Sequence, residues 1–129
     1  MNPSYNKYHS TKCKCRQGHI HDSAKEARRC NELTLLERAG AIINLRQQVK
    51  YVLIPTQREL ASGCYTKGKY KGQPRKGKVL EKEVAYYADF VYTENGREVV
   101  EDTKGIKTET YKIKRKLMLY VHGITVKEL

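Results

Sequence analysis

The chain of 129 residues has no tryptophan and only one phenylalanine, so its aromatic surface is almost all tyrosine, ten in number. A tyrosine packs its ring on one side and offers its hydroxyl to phosphate or base on the other. No apolar run approaches the roughly 18 residues that a membrane span requires. The N-terminal residues hold no apolar stretch of the kind that directs secretion. These two absences predict a cytoplasmic protein with no membrane partner. Acidic residues are also scarce: 14 against 26 lysines and arginines, for a net charge of +12. Such an excess is the electrostatic footprint of a protein that meets a polyanion, most often nucleic acid. Ribosomal-type and membrane-surface binding are the alternatives it leaves open. No internal repeat is present, and the length suits one domain with a modest core. In a reducing compartment the four cysteines, Cys13, Cys15, Cys30 and Cys64, read as free thiols.

Residues 1–21 are polar and basic and read as a flexible arm, leaving 22–129 as one folded domain. Within the arm, Cys13, Cys15, His19 and His21 could form a tetrahedral zinc site. Their spacing argues against it, because structural zinc pairs are usually separated by two to four residues. Ser23 followed by Glu26 is a capping-box pattern, and it opens a helix that runs to about Ala39 and stops at Gly40. Glu26, Cys30 and Leu33 share one stripe of this helix, which turns the carboxylate toward the fold; its bland role is the cap alone. Arg28, Arg29, Glu32, Glu37 and Arg38 read as solvated charges or phosphate contacts.

Residues 41–54 alternate as a half-exposed strand. Ile43, Leu45, Gln47, Val49, Tyr51 and Leu53 lie on one face, and Asn44, Arg46, Gln48 and Lys50 on the other. Residues 56–82 form a basic insertion with eight lysines and arginines against two glutamates. Gly63, Gly68, Gly72 and Gly77 predict a flexible loop. Lys67, Lys69, Lys71, Arg75 and Lys76, interleaved with Tyr65 and Tyr70, suit a phosphate backbone. Glu109–His122 reads as a second helix, with Ile113, Leu117, Tyr120 and Val121 on its buried side. Lys112, Lys114, Arg115 and Lys116 make its other faces basic, and residues 124–126 read as a final short strand.

The chain is organised around residues 84–104. Asn95-Gly96 lies between two β-rich runs, and a type I′ turn needs positive φ at both of its central residues. With those two residues as the loop, Tyr92 faces Val99 and Asp89 faces Asp102. One face then carries Tyr87, Asp89, Val91, Val100, Asp102 and Lys104; the other carries Ala88, Phe90, Tyr92, Val99, Glu101 and Thr103. Directly opposed carboxylates repel, with Cβ atoms about 5 Å apart. A hard divalent cation such as Mg²⁺ or Mn²⁺ would offset that repulsion. Neutralisation by nearby lysines is the plainer alternative, and a three-residue loop would slip the register by one.

The run from His21 to Gly40, together with Tyr87-Ala-Asp-Phe-Val-Tyr92, Val100-Glu-Asp-Thr-Lys-Gly105 and Tyr111-Lys-Ile-Lys-Arg-Lys-Leu117, resembles a phage-encoded family long labelled as of unknown function. That family is similar to the PD-(D/E)xK nuclease superfamily, which includes archaeal-type Holliday junction resolvases. The resemblance covers about residues 20–128. It implies an α/β (α+β), restriction-endonuclease-like core, a mixed sheet flanked by helices in the order α-β-β-β-α-β. It implies a catalytic set of Glu26, Asp89, Asp102 and Lys104, with the carbonyl of Thr103 joining the metal shell. Ala88 stands where the superfamily has its name-giving proline, which is not a ligand. The expected activity is Mg²⁺- or Mn²⁺-dependent hydrolysis of DNA phosphodiesters, on branched or double-stranded DNA, by a homodimer in the cytoplasm of a bacterial host. A DNA-binding module without hydrolytic activity on the same fold is the competing expectation. A zinc-organised basic interaction protein is a third.

Overall fold

The computed structural model describes residues 12–129. Its centre is a four-stranded sheet built from β3 (Ile43–Ile54), β6 (Val84–Glu94), β7 (Arg97–Asp102) and β8 (Lys127–Glu128), in that spatial order. The first three strands pair antiparallel and β8 joins β7 in parallel, so the sheet is mixed. The helices are α1 (Ala24–Arg38) and α2 (Glu109–His122). Taken with the sheet strands they run α1, β3, β6, β7, α2, β8, as the sequence predicted.

Local chemistry sets the element ends. Ser23 accepts the Glu26 amide at 3.1 Å, satisfying one of the donors a helix start leaves open. Thr108 does the same for the Tyr111 amide. Gly123 closes α2 with φ 67, in the left-handed region a side chain disfavours. Asn95 and Gly96 have φ 52 and 75, both positive, as the two-residue hairpin turn demands. Tyr92 pairs with Val99 and Val91 with Val100, the predicted register.

Two apolar clusters lie on opposite sides of the sheet. Ala27, Cys30 and Leu33 of α1 pack with Phe90 and Tyr92. Tyr111 and Met118 of α2 pack with Tyr86, Ala88, Val91 and Val100. These memberships correct the strict alternation expected for β6. Tyr86 and Ala88 belong to the α2 side, whereas Phe90 and Tyr92 belong to the α1 side. The strand therefore changes face at Asp89. β3 changes at the same level: Leu45 packs on the α1 side, and Val49, Tyr51 and Leu53 on the α2 side. The residue between them, Gln48, has φ 51. One left-handed residue breaks the two-residue period, and the paired strand follows.

Other expectations are also corrected. Ile113, Tyr120 and Val121 of α2 are exposed, and Tyr111 and Met118 are buried in their place. The helix is apolar on several faces, so its own sequence did not select one. The final strand lies at Lys127–Glu128 rather than 124–126. Residues 1–11 of the expected arm lie outside the described residues. From Cys13 the segment is ordered as a hairpin of β1 (Cys13–Lys14) and β2 (Ile20–His21), with Cys15 and His21 buried against α1. The basic insertion is likewise a hairpin arm rather than a loose loop. β4 (Gln57–Arg58) pairs with β5 (Val79–Glu81), and further out Cys64 bridges to Pro74. Its glycines shape it: a Cβ on Gly77 would lie 1.7 Å from the Glu59 carbonyl oxygen, so only glycine fits there.

Candidate functional site

Three carboxylates from three elements converge beside the end of β7. Glu26 comes from the first turn of α1, Asp89 from the level at which β6 changes face, and Asp102 from the last position of β7. Asp89 is held by Thr103, whose amide and hydroxyl each donate to Oδ2 at 2.9 Å. Gln48 donates to Asp89 Oδ1 at 3.2 Å and lies 3.3 Å from Glu26 Oε1, tying the two acids together. The left-handed backbone that breaks the strand period thus presents the amide that joins them. His21 Nδ1 lies 3.1 Å from Glu26 Oε1 on the other side.

Asp102 is fully buried. Tyr86 donates its hydroxyl to Oδ2, and Oδ1 has no hydrogen-bond partner among the described residues. Lys104 Nζ stands 3.6 Å from that oxygen and 5.2 Å from the centre of the Tyr111 ring. Burial, the charge of Asp89 and a hydrogen bond with it push the Asp102 carboxyl up to about 7. Glu26 is also raised, by burial and then by Asp89. Both shifts report negative charge crowded where water is scarce. An open cleft of about 460 Å³ meets the cluster, lined by Ser23, Lys25, Glu26, Asp89, Thr103, Lys104 and Tyr111 among others.

Glu26, Asp89, Asp102 and Lys104 are thus brought together as the sequence predicted. Thr103 enters through its amide and hydroxyl, as a donor to Asp89. Glu101 points to the opposite face, where Arg29 grips it with two hydrogen bonds of 2.6 and 2.9 Å and Tyr92 adds a third. Arg29 is therefore a partner of a buried acid and not a solvated charge. Among the basic candidates, Lys67, Lys69, Lys71, Arg75 and Lys76 are exposed on the hairpin arm. Arg115 is paired with Glu128 at 2.7 Å, Lys112 with Glu109 at 3.3 Å, and Lys116 is exposed. Lys114 lines a groove with Tyr86, Lys104 and Tyr111, so it lies nearer the acids than its sequence setting indicated.

Gln48 and Tyr86 were missed, and His21 was named only as a zinc candidate and not as a partner of Glu26. Strict alternation puts Tyr86 on the other face from Asp102 and Gln48 among exposed polar residues, and neither has a local signal that reverses this. His21 stands five residues before Glu26 across a helix cap, a spacing that does bring a side chain back onto the first turn.

A second cluster adjoins the first. Cys15, His19, His21 and Cys30 each offer a ligand atom, and these atoms lie within 4.8 Å of one another. The group could hold a metal ion. The sequence grouping with Cys13 is corrected, since the fourth member is Cys30 of α1, which the helix brings over the hairpin. Among the described residues no helix is long and apolar enough to cross a membrane.

No curated protein and no solved structure matches the chain. One family model does, over residues 5–125, and it spans nearly the whole sequence. On that match the chain belongs to the family described as "Protein of unknown function (DUF1064)".

Proposed function

We propose that this protein is a metal-dependent DNA endonuclease of the PD-(D/E)xK type. The observation that carries the reading is the convergence of Glu26, Asp89 and Asp102 beside a cleft lined by Glu26, Asp89 and Lys104, with one buried carboxylate oxygen of Asp102 that has no hydrogen-bond partner among the described residues and faces Lys104 Nζ at 3.6 Å. A purely binding protein has no use for three acids facing a polyanion. The donor set fits a hard divalent ion, which takes carboxylate oxygens. Asp89, Asp102 and Glu26 would hold it, with Thr103 at its edge. Such an ion, when bound, lowers the pKa of its water and neutralises charge on the phosphate.

The protein's own groups supply the rest. Thr103 and Gln48 fix Asp89, and Tyr86 fixes Asp102, so the acids are held before substrate arrives. Lys104 would orient the attacking water and add positive charge near the phosphate. Lys112, Lys114 and Lys116 on α2 and the lysines of the hairpin arm would hold flanking phosphates. A branched substrate, a homodimer that presents two sites to two strands, and a phage setting in a bacterial cytoplasm belong to the same proposal and rest on the resemblance.

The test is incubation of the protein with four-way, flap, linear duplex and single-stranded DNA in Mg²⁺ or Mn²⁺, with Asp102→Asn alongside. Cleavage by the wild type and none by the variant is the expected result. Tight DNA binding with no cleavage by either protein, in either metal, would leave the non-catalytic module as the correct reading.

A further inference from the structure

We propose that Cys15, His19, His21 and Cys30 form a tetrahedral zinc site that fastens the N-terminal hairpin to α1. Two cysteines and two histidines are a donor set for structural zinc. Ideal zinc bonds of about 2.0–2.3 Å put ligand atoms roughly 3.3–3.8 Å apart. The four atoms here lie within 4.8 Å of one another, and His19 Nδ1 is already 3.6 Å from Cys30 Sγ. Closing on an ion requires shifts of about an ångström.

The turn that carries three of these ligands has the shape such a site needs. The Cys15 amide donates to the His19 carbonyl at 2.9 Å, and the Gly18 amide donates back to the Cys15 carbonyl at 3.0 Å. Gly18 sits at φ 88, which lets the chain reverse within four residues. Cys30 enters from α1, wholly buried.

His21 supplies an independent observation. Its ring is buried and its Nε2 has no hydrogen-bond partner among the described residues. A polar nitrogen left so in a core is costly unless something binds it. Its Nδ1 faces the Glu26 carboxylate at 3.1 Å. A histidine bound to metal through one nitrogen commonly donates its other N–H to a carboxylate, which fixes ring and tautomer. His21 therefore joins the two clusters: Nε2 serves the zinc and Nδ1–H holds Glu26. Its part as a positioning residue for Glu26 rests on the nuclease reading; the zinc site itself does not.

The test is elemental analysis of the full chain, purified without chelator and with any affinity tag removed. One zinc per chain is expected, with near-complete loss in Cys30→Ser and full retention in Cys13→Ser. Because Cys30 is buried, its variant could lose metal simply by unfolding, so cobalt is substituted into the wild type as well. Intense tetrahedral d–d bands with thiolate-to-cobalt charge transfer support the site. Wild-type protein that is folded and metal-free as purified, and that gives no tetrahedral cobalt spectrum, overturns it. Neither readout needs hydrolysis: one bound zinc in a protein that cuts no DNA keeps the site and removes only the nuclease reading.

Discussion

Tyr86 donates its hydroxyl to Asp102 Oδ2 at 2.5 Å, leaving Oδ1 facing Lys104. The two residues lie on neighbouring strands, and they meet only because β6 changes face between Ala88 and Phe90. The pairing holds an acid inside the protein in one orientation, with half of its carboxylate unspent. Loss of that acid and loss of its tyrosine should differ. Asp102→Asn should cut DNA cleavage by about 10³-fold or more, a loss of about 4 kcal/mol of transition-state stabilisation. Tyr86→Phe keeps the charge and should lower the rate by a smaller factor. Single-turnover rates for the two variants check this; equal losses would mean that Tyr86 does more than orient.

Asp102 also sets a pH dependence. Its carboxyl is raised to about 7 in the folded protein, from an ordinary aspartate value of 3.8. Between those values the folded state binds more protons than the unfolded state, so stability falls as pH rises. The contribution is complete below about pH 4 and is lost as pH passes through 7. Glu26 is raised in the same sense. Without added magnesium, urea midpoints should therefore fall from pH 5 to pH 8. Magnesium should flatten that slope, because a bound cation favours the ionised acids. Asp102→Asn should flatten it without magnesium.

Arg29 and Glu101 form an ion pair across the α1 face, and the Glu101 side chain is wholly inaccessible. Burial would raise the Glu101 carboxyl, but Arg29 and then Tyr92 outweigh it and the net shift is downward. Arg29→Ala would strand a buried charge, at a cost of about 3 kcal/mol or more. Replacing both partners, Arg29→Met with Glu101→Leu, should recover most of that loss. Urea unfolding of the single and double variants measures the difference. An Arg29→Ala protein as stable as the wild type would contradict the pairing.

The basic hairpin arm should be separable from the chemistry. Each phosphate contact steepens the salt dependence of DNA binding by about 0.9 in a log–log plot. Neutralising Lys67, Lys69 and Lys71 together should lower that slope by up to about 3 and leave the urea midpoint unchanged. An unaltered slope removes the arm from the interface. Gly77→Ala, which drives a Cβ into the Glu59 carbonyl, should distort the arm and weaken DNA binding, again with little change in core stability.

The sequence alone determined the order of the two helices and the central-sheet strands, the Asn95-Gly96 turn and the register of β6 against β7. Each of these is a local matter: a turn with two positive φ angles, a cap, a period. It also separated Asp102 from Glu101, because neighbouring residues on a strand face opposite ways. Tertiary structure alone decided the rest. Gln48 takes a left-handed conformation that no residue type near it announces, and this reverses the faces of two strands at once. That reversal brings Tyr86 to Asp102 and Gln48 to Asp89 and Glu26. Packing chose Tyr111 and Met118 from a helix that offered several apolar faces. Docking of a hairpin on α1 exchanged Cys13 for Cys30 beside His19 and His21. Contacts between residues distant in sequence are set by burial summed over the whole core, and no window of neighbouring residues contains that sum.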